Sequence, residues 1–339
     1  MNNDNIITLD HGGGGQASRE LVELLLKHVP GQGGQCLQDA AVLAAPGPGQ
    51  RLVFSTDSYI VDPIFFPGGD IGALAAHGTI NDLAMRGARP IALSLAMILE
   101  EGLPLADLER IAKSIGEASA RAAVPIVTGD TKVAPRGKVD KIFINTAGIG
   151  LIDASVDIGA DKAQAGDVVL ISGTIGDHGV TIMGGRAGIA LRGDLRSDTT
   201  ALHYFVARLI AAFPGAIHTL RDPTRGGVAT ALHELAEASD LAIEVEEESL
   251  PIRPSVRSAC ALLGLDPLWL ANEGKCLIIC QSDKAAAILT EMRLMPEGRD
   301  AALIGRAKPY QSSRVTLRTL LGGGRILSPL RGQPLPRIC

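Results

Sequence analysis

Apolar positions in the first half of the chain fall into strand-like runs separated by helical stripes. A short strand over residues 6–9 leads into an amphipathic helix over residues 18–29. Residues 36–57 read as a hairpin: LQDAAVLAA, a Pro/Gly turn at residues 46–49, and RLVFSTD as an apolar strand, with Asp39 and Asp57 at the two ends. Residues 72–88 (GALAAHGTINDLAMRGA) form a small-residue helix with Asn81 and Asp82 in its middle. A charged aspartate among Ala, Ile, Leu and Met wants a partner. IALSLAMIL is then a buried strand, Pro104 opens a helix with Leu105, Leu108, Ile111 and Ile115 on one face, and VPIVTGDTK is a strand ending on Gly129, Asp130 and Lys132.

A second unit begins near Leu151 with a polar, glycine-rich stretch before the strand DVVLIS. The loop GTIGDHG, a helix through Ala190 and a helix over residues 199–213 follow. In RDPTRGGVATALHELAEAS, residues 221–227 form a charged turn that reads as a ligand loop before a helix bearing His233 and Glu234. Asp222 can equally cap that helix, and His233 can be a satisfied surface residue. Asn272, Glu273, Gly274 and Lys275 directly precede the apolar strand KCLIICQ, which puts Cys276 and Cys280 on one face.

Composition narrows the classes. With 339 residues, 46% hydrophobic and 20% charged, the chain can bury a large core and form two domains. A net charge of −5 without a basic run, and 3% aromatic content, argue against a nucleic-acid surface or a stacking platform for bases. The start MNNDNIITLD lacks a basic-then-apolar signal, and residues 91–99 are too few to span a bilayer, so a cytoplasmic protein is expected. Five cysteines without a CxxC pair fit a reducing compartment.

Three features carry candidate chemistry. The first is the loop His11, Gly12, Gly13, Gly14, Gly15, Gln16, which either cradles phosphate with its N–H groups or is a plain connector. It is neither a Walker A loop nor a dinucleotide fingerprint, and its HGGG string has no G-x-S-x-G elbow to go with it. The second is the set Asp39, Asp57, Asp82 and Asp130, at strand ends or mid-helix; with a glycine loop and Lys132 it suits magnesium–ATP, the alternative being separate caps and surface acids. The third is the tail over residues 325–339. Gly322, Gly323 and Gly324 give it a pivot, Pro329, Pro334 and Pro336 bias it to an extended rod, and Cys339 ends it. That is the layout of a swinging arm, or else of a frayed terminus, and prenylation needs a cysteine four from the end. The free carboxylate of Cys339 disfavours its thiolate, with Arg337 expected to offset it.

The order HGGGG, LQDAAV, STDSYIVDP, HGTINDLAMRGARP, TGDTKV, RDPTRGGV, ANEGK and terminal PRIC resembles the HypE family of hydrogenase maturation factors over nearly the whole chain. That family stands beside aminoimidazole ribonucleotide synthetase, selenophosphate synthetase and thiamine monophosphate kinase, which lack the PRIC tail. The resemblance implies a two-domain aminoimidazole ribonucleotide synthetase-like fold of α/β and α+β type. Residues 1–155 would bind ATP and dimerise by joining strands with a partner's into a β-barrel, residues 156–324 form an α+β domain, and residues 325–339 a flexible tail. The glycine loop departs from family members that carry a serine among the glycines.

The activity implied is ATP-dependent dehydration of a carbamoyl group on Cys339, thiocarboxamide to thiocyanate, which supplies cyanide to iron. Asp39, Asp57, Asp82 and Asp130 would handle magnesium and phosphates, with Gly12, Gly13, Gly14, Gly15 and Asn81 at the nucleotide. Lys132, His233 and Glu273 would stabilise charge or move protons. Implied partners are a second copy of the chain, a HypF-like carbamoyltransferase and a HypC–HypD-like iron scaffold. Two other readings remain: a small-molecule kinase or synthetase of the same superfamily, which would turn over without Cys339, and a non-catalytic nucleotide-binding carrier, which would bind ATP without hydrolysis.

Overall fold

A computed structural model describes residues 6–13, 15–29, 40–188, 195–328 and 337–339. Gly14, Asp39, the first arm of the expected hairpin up to Asp39, the helix end at Ala190 and the prolines at 329, 334 and 336 lie outside the described residues. Ile6 makes only an isolated bridge to Pro104, and residues 9–12 form a 3-10 turn instead of continuing a strand.

The first half runs α1 (Gln16–His28), β1 (Gln50–Tyr59), a two-strand ribbon of β2 (Phe65–Phe66) and β3 (Gly69–Asp70), α2 (Ile71–Met85), β4 (Arg89–Glu100), α3 (Leu105–Ala122), β5 (Ile126–Ala134) and β6 (Ile142–Asp153). Its four-stranded sheet has the order β1-β6-β4-β5. The expected partner of β1 is thereby corrected. It pairs antiparallel with β6, from Gln50 opposite Asp153 to Tyr59 opposite Ile144, and residues 41–47 are not strand. The alternation in β6, IFINTAGIGLID, offers a long half-buried ladder that a short local hairpin cannot match.

Helix α2 is the hub. Asp70 caps it by accepting from the N–H groups of Gly72 and Ala73 at 2.9 and 3.0 Å. Every helical residue except Asp82 is buried, because α2 packs on β1, β4, β6 and α3 on one side and on α5 and β8 of the second half on the other.

The second half runs β7 (Val168–Ile171), α4 (Asp177–Arg186), α5 (His203–Ala212), β8 (Ile217–Arg221), α6 (Gly227–Ala238), β9 (Leu241–Glu246), α7 (Pro254–Leu263), β10 (Leu277–Cys280), α8 (Ala285–Arg293), β11 (Ala302–Pro309), β12 (Val315–Arg318) and β13 (Gly324–Ile326). A seven-stranded sheet has the order β13-β12-β9-β11-β7-β10-β8. Its centre is buried on both faces: Val168, Leu170, Cys276, Ile278 and Cys280 pack toward α5 and α8, whereas Val169, Ile171, Leu277 and Ile279 pack toward α6. Cys276 and Cys280 therefore share a face, as expected.

The tail's start differs from the expected arm. Gly324, Arg325 and Ile326 pair with β12, Leu327 is buried and donates to the Val315 carbonyl, and the glycines close a turn in which Thr319 and Gly323 bond each other. Residues 324–327 are thus a hairpin arm of the second sheet and not a pivot.

Candidate active site

A cavity of about 110 Å³ is lined by Thr56, Asp57, Gly78, Asp82, Asp222, Thr224, Arg225, Glu273 and Cys339. Four parts of the chain converge there: β1, α2, the 221–227 loop and the turn before β10, with residues 337–339 entering from the side. Asp82 is the one α2 residue that escapes full burial, and it accepts from Ser55 Oγ on β1 at 2.8 Å. Glu273 is placed by its backbone: its N–H donates to Asp198 Oδ1 at 3.0 Å, and its carbonyl accepts from Asn81. The next residue must be glycine, because a Cβ on Gly274 would lie 1.9 Å from the Asp198 carbonyl oxygen.

Crowded, buried carboxylates set the electrostatics. Burial raises Asp82 to about 7, and the neighbouring charges of Asp222 and Asp57 push the same way while Ser55 opposes them. Burial likewise raises Asp222. Glu273, 4% exposed, is held well above the usual carboxylate range by burial first and by Asp198, Asp222, Asp57 and Asp82 after it. Its Oε1 is buried with no hydrogen-bond partner. The Cys339 thiol is pushed up by burial and by Glu273, with Arg225 opposing. An orphaned buried carboxylate oxygen and acids that repel one another fit a divalent cation that brings further oxygen ligands with it. Among the described residues, no three His, Cys, Asp or Glu side chains form a ready-made metal cage.

The expected acid set divides. Asp57 and Asp82 line the cavity, but Asp130 lies mid-strand on β5, where it pairs with Lys132 at 2.6 Å, both about two-thirds exposed. Lys132 holds the Asp130 carboxyl below its usual range. β1 and β5 are opposite edges of the sheet, three strand spacings or about 14 Å apart. One ion cannot join Asp57 to Asp130 within a single chain. The glycine loop belongs to the β5 group, since a Cβ on Gly12 would lie 3.1 Å from Val133.

His233 is corrected: its Nε2 bonds the Leu327 carbonyl, which ties α6 to β13's continuation and leaves it outside the cavity lining. Asn81 is corrected too. One position from Asp82 on a helix, it points about 100° away. Its amide donates to the carbonyls of Thr200 at 2.9 Å and Glu273 at 3.3 Å, while its oxygen accepts from Leu202 N–H at 2.7 Å. Asn81 stitches the two halves together, with both amide hydrogens and one oxygen lone pair engaged between them. Asn81→Ala should cost about 1–3 kcal/mol in unfolding free energy, measured by urea denaturation, because buried groups lose their partners. Asp222 does not cap α6, whose N-cap is Gly226. It was masked in the sequence by that plausible capping role, though the RDPTRGG loop itself was legible.

Residues 337–339 are seated. Ile60 N–H donates to the Cys339 carbonyl at 3.1 Å, and Asp62 N–H to that of Arg337 at 3.3 Å. Arg337 Nε donates to the Ile60 carbonyl at 2.8 Å. Its guanidinium pairs with Asp140, so it does not serve to offset charge at Cys339 as expected. Ile338 is 4% exposed in the first core.

The pattern of the AIR synthase related protein N-terminal domain matches residues 37–152, and that of the C-terminal domain matches residues 164–318. The chain is 48% identical to the carbamoyl dehydratase HypE of Rhizobium leguminosarum bv. viciae, over 98% of this chain and 95% of the relative. A crystal structure of hydrogenase maturation protein HypE in complex with ATP superimposes with a TM-score of 0.92 at 50% identity, covering 98% of this chain and 99% of that one. A HypE–HypF complex structure aligns with a TM-score of 0.78 at 45% identity, covering 84% of this chain and 90% of that one.

Proposed function

The chain belongs to the HypE family of AIR synthase related proteins, and from that premise we propose that it is an ATP-dependent carbamoyl dehydratase. It converts a thiocarboxamide on Cys339 to a thiocyanate, which supplies cyanide ligands for the iron of nickel–iron hydrogenase. The observation that carries this reading is the placement of Cys339 in one cavity with Glu273, Asp57 and Asp82. The ATP complex of a 50% identical HypE supports the nucleotide.

An amide oxygen is a poor leaving group, so the terminal phosphoryl group of ATP passes to the carbamoyl oxygen and the nitrogen loses one proton, giving an S–C(OPO₃)=NH imidate and ADP. The C–O bond then breaks, the nitrogen loses its second proton, and S–C≡N and phosphate form. Glu273 is the proton acceptor: once ionised, a carboxylate whose pKa is raised by burial takes the first proton, and the departing phosphate oxygen takes the second. Asp57 and Asp82 would hold magnesium, which neutralises phosphate charge when bound. Loading needs a thiolate, and burial among acids disfavours one, so Cys339 is loaded away from the cavity and returns for dehydration. The HypE–HypF complex supports a HypF-like carbamoyl donor, and a HypC–HypD-like scaffold would receive the nitrile. No helix among the described residues is long and apolar enough to cross a membrane, in line with a cytoplasmic site of action.

Residues 1–155 would also dimerise. The sheet's outer face and its β1 edge, unpaired among the described residues, expose Leu52 at 57%, Phe54 at 66% and Ile98 at 44%. Two such faces closing into a barrel would bring the partner's β5 edge, with its glycine loop, Asp130 and Lys132, toward Asp57 and Asp82. Sedimentation at micromolar concentration should give a dimer, and a strictly monomeric species would count against the barrel.

The reaction itself is tested by intact mass. After incubation with a HypF-like partner, carbamoyl phosphate and ATP, the C-terminal peptide should gain a carbamoyl group and then lose the mass of one water. A loaded form that persists unchanged despite ATP hydrolysis would sink the dehydratase reading.

A further inference from the structure

His178 has no part in the chemistry above, yet it is fully buried and bonded to the tail. It is the second residue of α4, 0% exposed, with the Phe66 ring edge-on at 5.6 Å. Its Nε2 lies 2.7 Å from the carbonyl oxygen of Ile338, and its Nδ1 lies 2.8 Å from Ser197 Oγ. A carbonyl oxygen only accepts, so Nε2 carries the proton and Nδ1 accepts from the Ser197 hydroxyl. Ser197 Oγ in turn accepts from Thr199 N–H at 3.2 Å. Every donor in this chain points toward the tail.

We propose that His178 and Ser197 are a positioning pair that sets how deeply Cys339 enters the cavity, by presenting a neutral imidazole N–H to the Ile338 carbonyl. The proposal rests on the reading of Cys339 as the carrier. The bond goes to backbone one residue before Cys339, so it fixes reach without contacting the reacting atoms. The remaining bonds to residues 337–339 come from residues 60–62, Asp140 and Arg186, and all of these except the one to the Cys339 carbonyl act at Arg337. Only His178 grips Ile338 by its backbone among the described residues. When the tail leaves, a buried N–H is left without its acceptor, which favours return. Because His178 takes only the Ile338 carbonyl, this bond does not depend on the carbamoyl group being present.

The test is the rate at which iodoacetamide alkylates Cys339 in the full chain, read by peptide mass, for the parent, His178→Ala, His178→Gln and Ser197→Ala. Loss of the bond should speed alkylation about tenfold in His178→Ala, the equivalent of about 1.4 kcal/mol. His178→Gln keeps an N–H for the carbonyl and should stay within about twofold of the parent. Ser197→Ala, which frees the tautomer, should fall between. In turnover, His178→Ala should lower kcat with the KM for ATP unchanged. Parent-like labelling of folded His178→Ala, or His178→Gln labelling as fast as His178→Ala, would overturn the proposal. If His178→Ala does not fold, parent-like labelling of Ser197→Ala overturns it instead. Labelling needs no carbamoyl chemistry, so a parent that forms no thiocyanate defeats the dehydratase reading while these rates still decide the positioning role.

Discussion

Cys339→Ala should abolish carbamoyl loading and thiocyanate formation while leaving ATP affinity within about twofold of the parent. Cys339 is a lining residue of the cavity, but the acids there, Asp57, Asp82, Asp222 and Glu273, do not depend on its sulfur for their placement. They are held by β1, α2, the 221–227 loop and the Asp198 contact to Glu273. No described cysteine can take over. Cys260, Cys276 and Cys280 are buried, with thiols pushed up by burial to about 11, 12 and 12, so each is nearly all thiol at neutral pH. Intact mass after incubation with the carbamoyl donor reads loading, and calorimetry reads ATP. Retained loading on the variant would defeat the carrier assignment. A superfamily kinase, by contrast, would keep its full turnover without Cys339.

What the sequence disclosed and what it hid follow from the range of the interactions involved. Helix α2 was legible because its apolar residues leave Asp82 as the single acidic misfit, and such a misfit needs a partner that the fold must supply. Glu273 was legible because ANEGK abuts a strand buried on both faces, so its turn must lie at a strand end. Pairing of β1 was not legible: RLVFSTD is a good strand beside any partner, and β6 begins more than eighty residues later. Asp130 and Lys132 were placed at a strand end because polar residues usually close a strand. They lie inside β5, on a sheet face that a single chain leaves open. The distance between Asp57 and Asp130 depends on strand order, which no local pattern encodes. In the tail, Gly322, Gly323 and Gly324 suggest a pivot or a turn equally, and pairing with β12 selects the turn. His178 was hidden altogether, since its role depends on a carbonyl 160 positions away.

Asp82→Asn should lower Mg–ATP-dependent turnover about a hundredfold and yet stabilise the nucleotide-free protein at neutral and alkaline pH. The functional loss follows from charge. The amide keeps the size and can still meet Ser55 Oγ, but it gives magnesium a neutral ligand in place of a carboxylate, and each 1.36 kcal/mol lost from the transition state is tenfold in rate. The gain in stability follows from the raised pKa. Asp82 titrates near 7 in the fold against 3.8 for its model value, so between those values the folded chain binds more protons than the unfolded one. Where the native state binds more protons, unfolding free energy falls as pH rises. The protonated side chain's contribution is therefore complete below pH 3.8 and is lost as pH climbs through about 7. Asparagine cannot ionise and escapes that loss, so at pH 8 the variant should be more stable than the parent by on the order of 1–4 kcal/mol, with the difference closing toward pH 4. Added Mg–ATP should reverse the order, because it stabilises the form that binds it. Unfolding curves at pH 4, 6 and 8 with and without Mg–ATP, beside steady-state turnover, check both halves. A variant that turns over like the parent would show that the cation does not use the Asp82 carboxylate, and one less stable than the parent at pH 8 without ligand would show that its neighbours do not strain it.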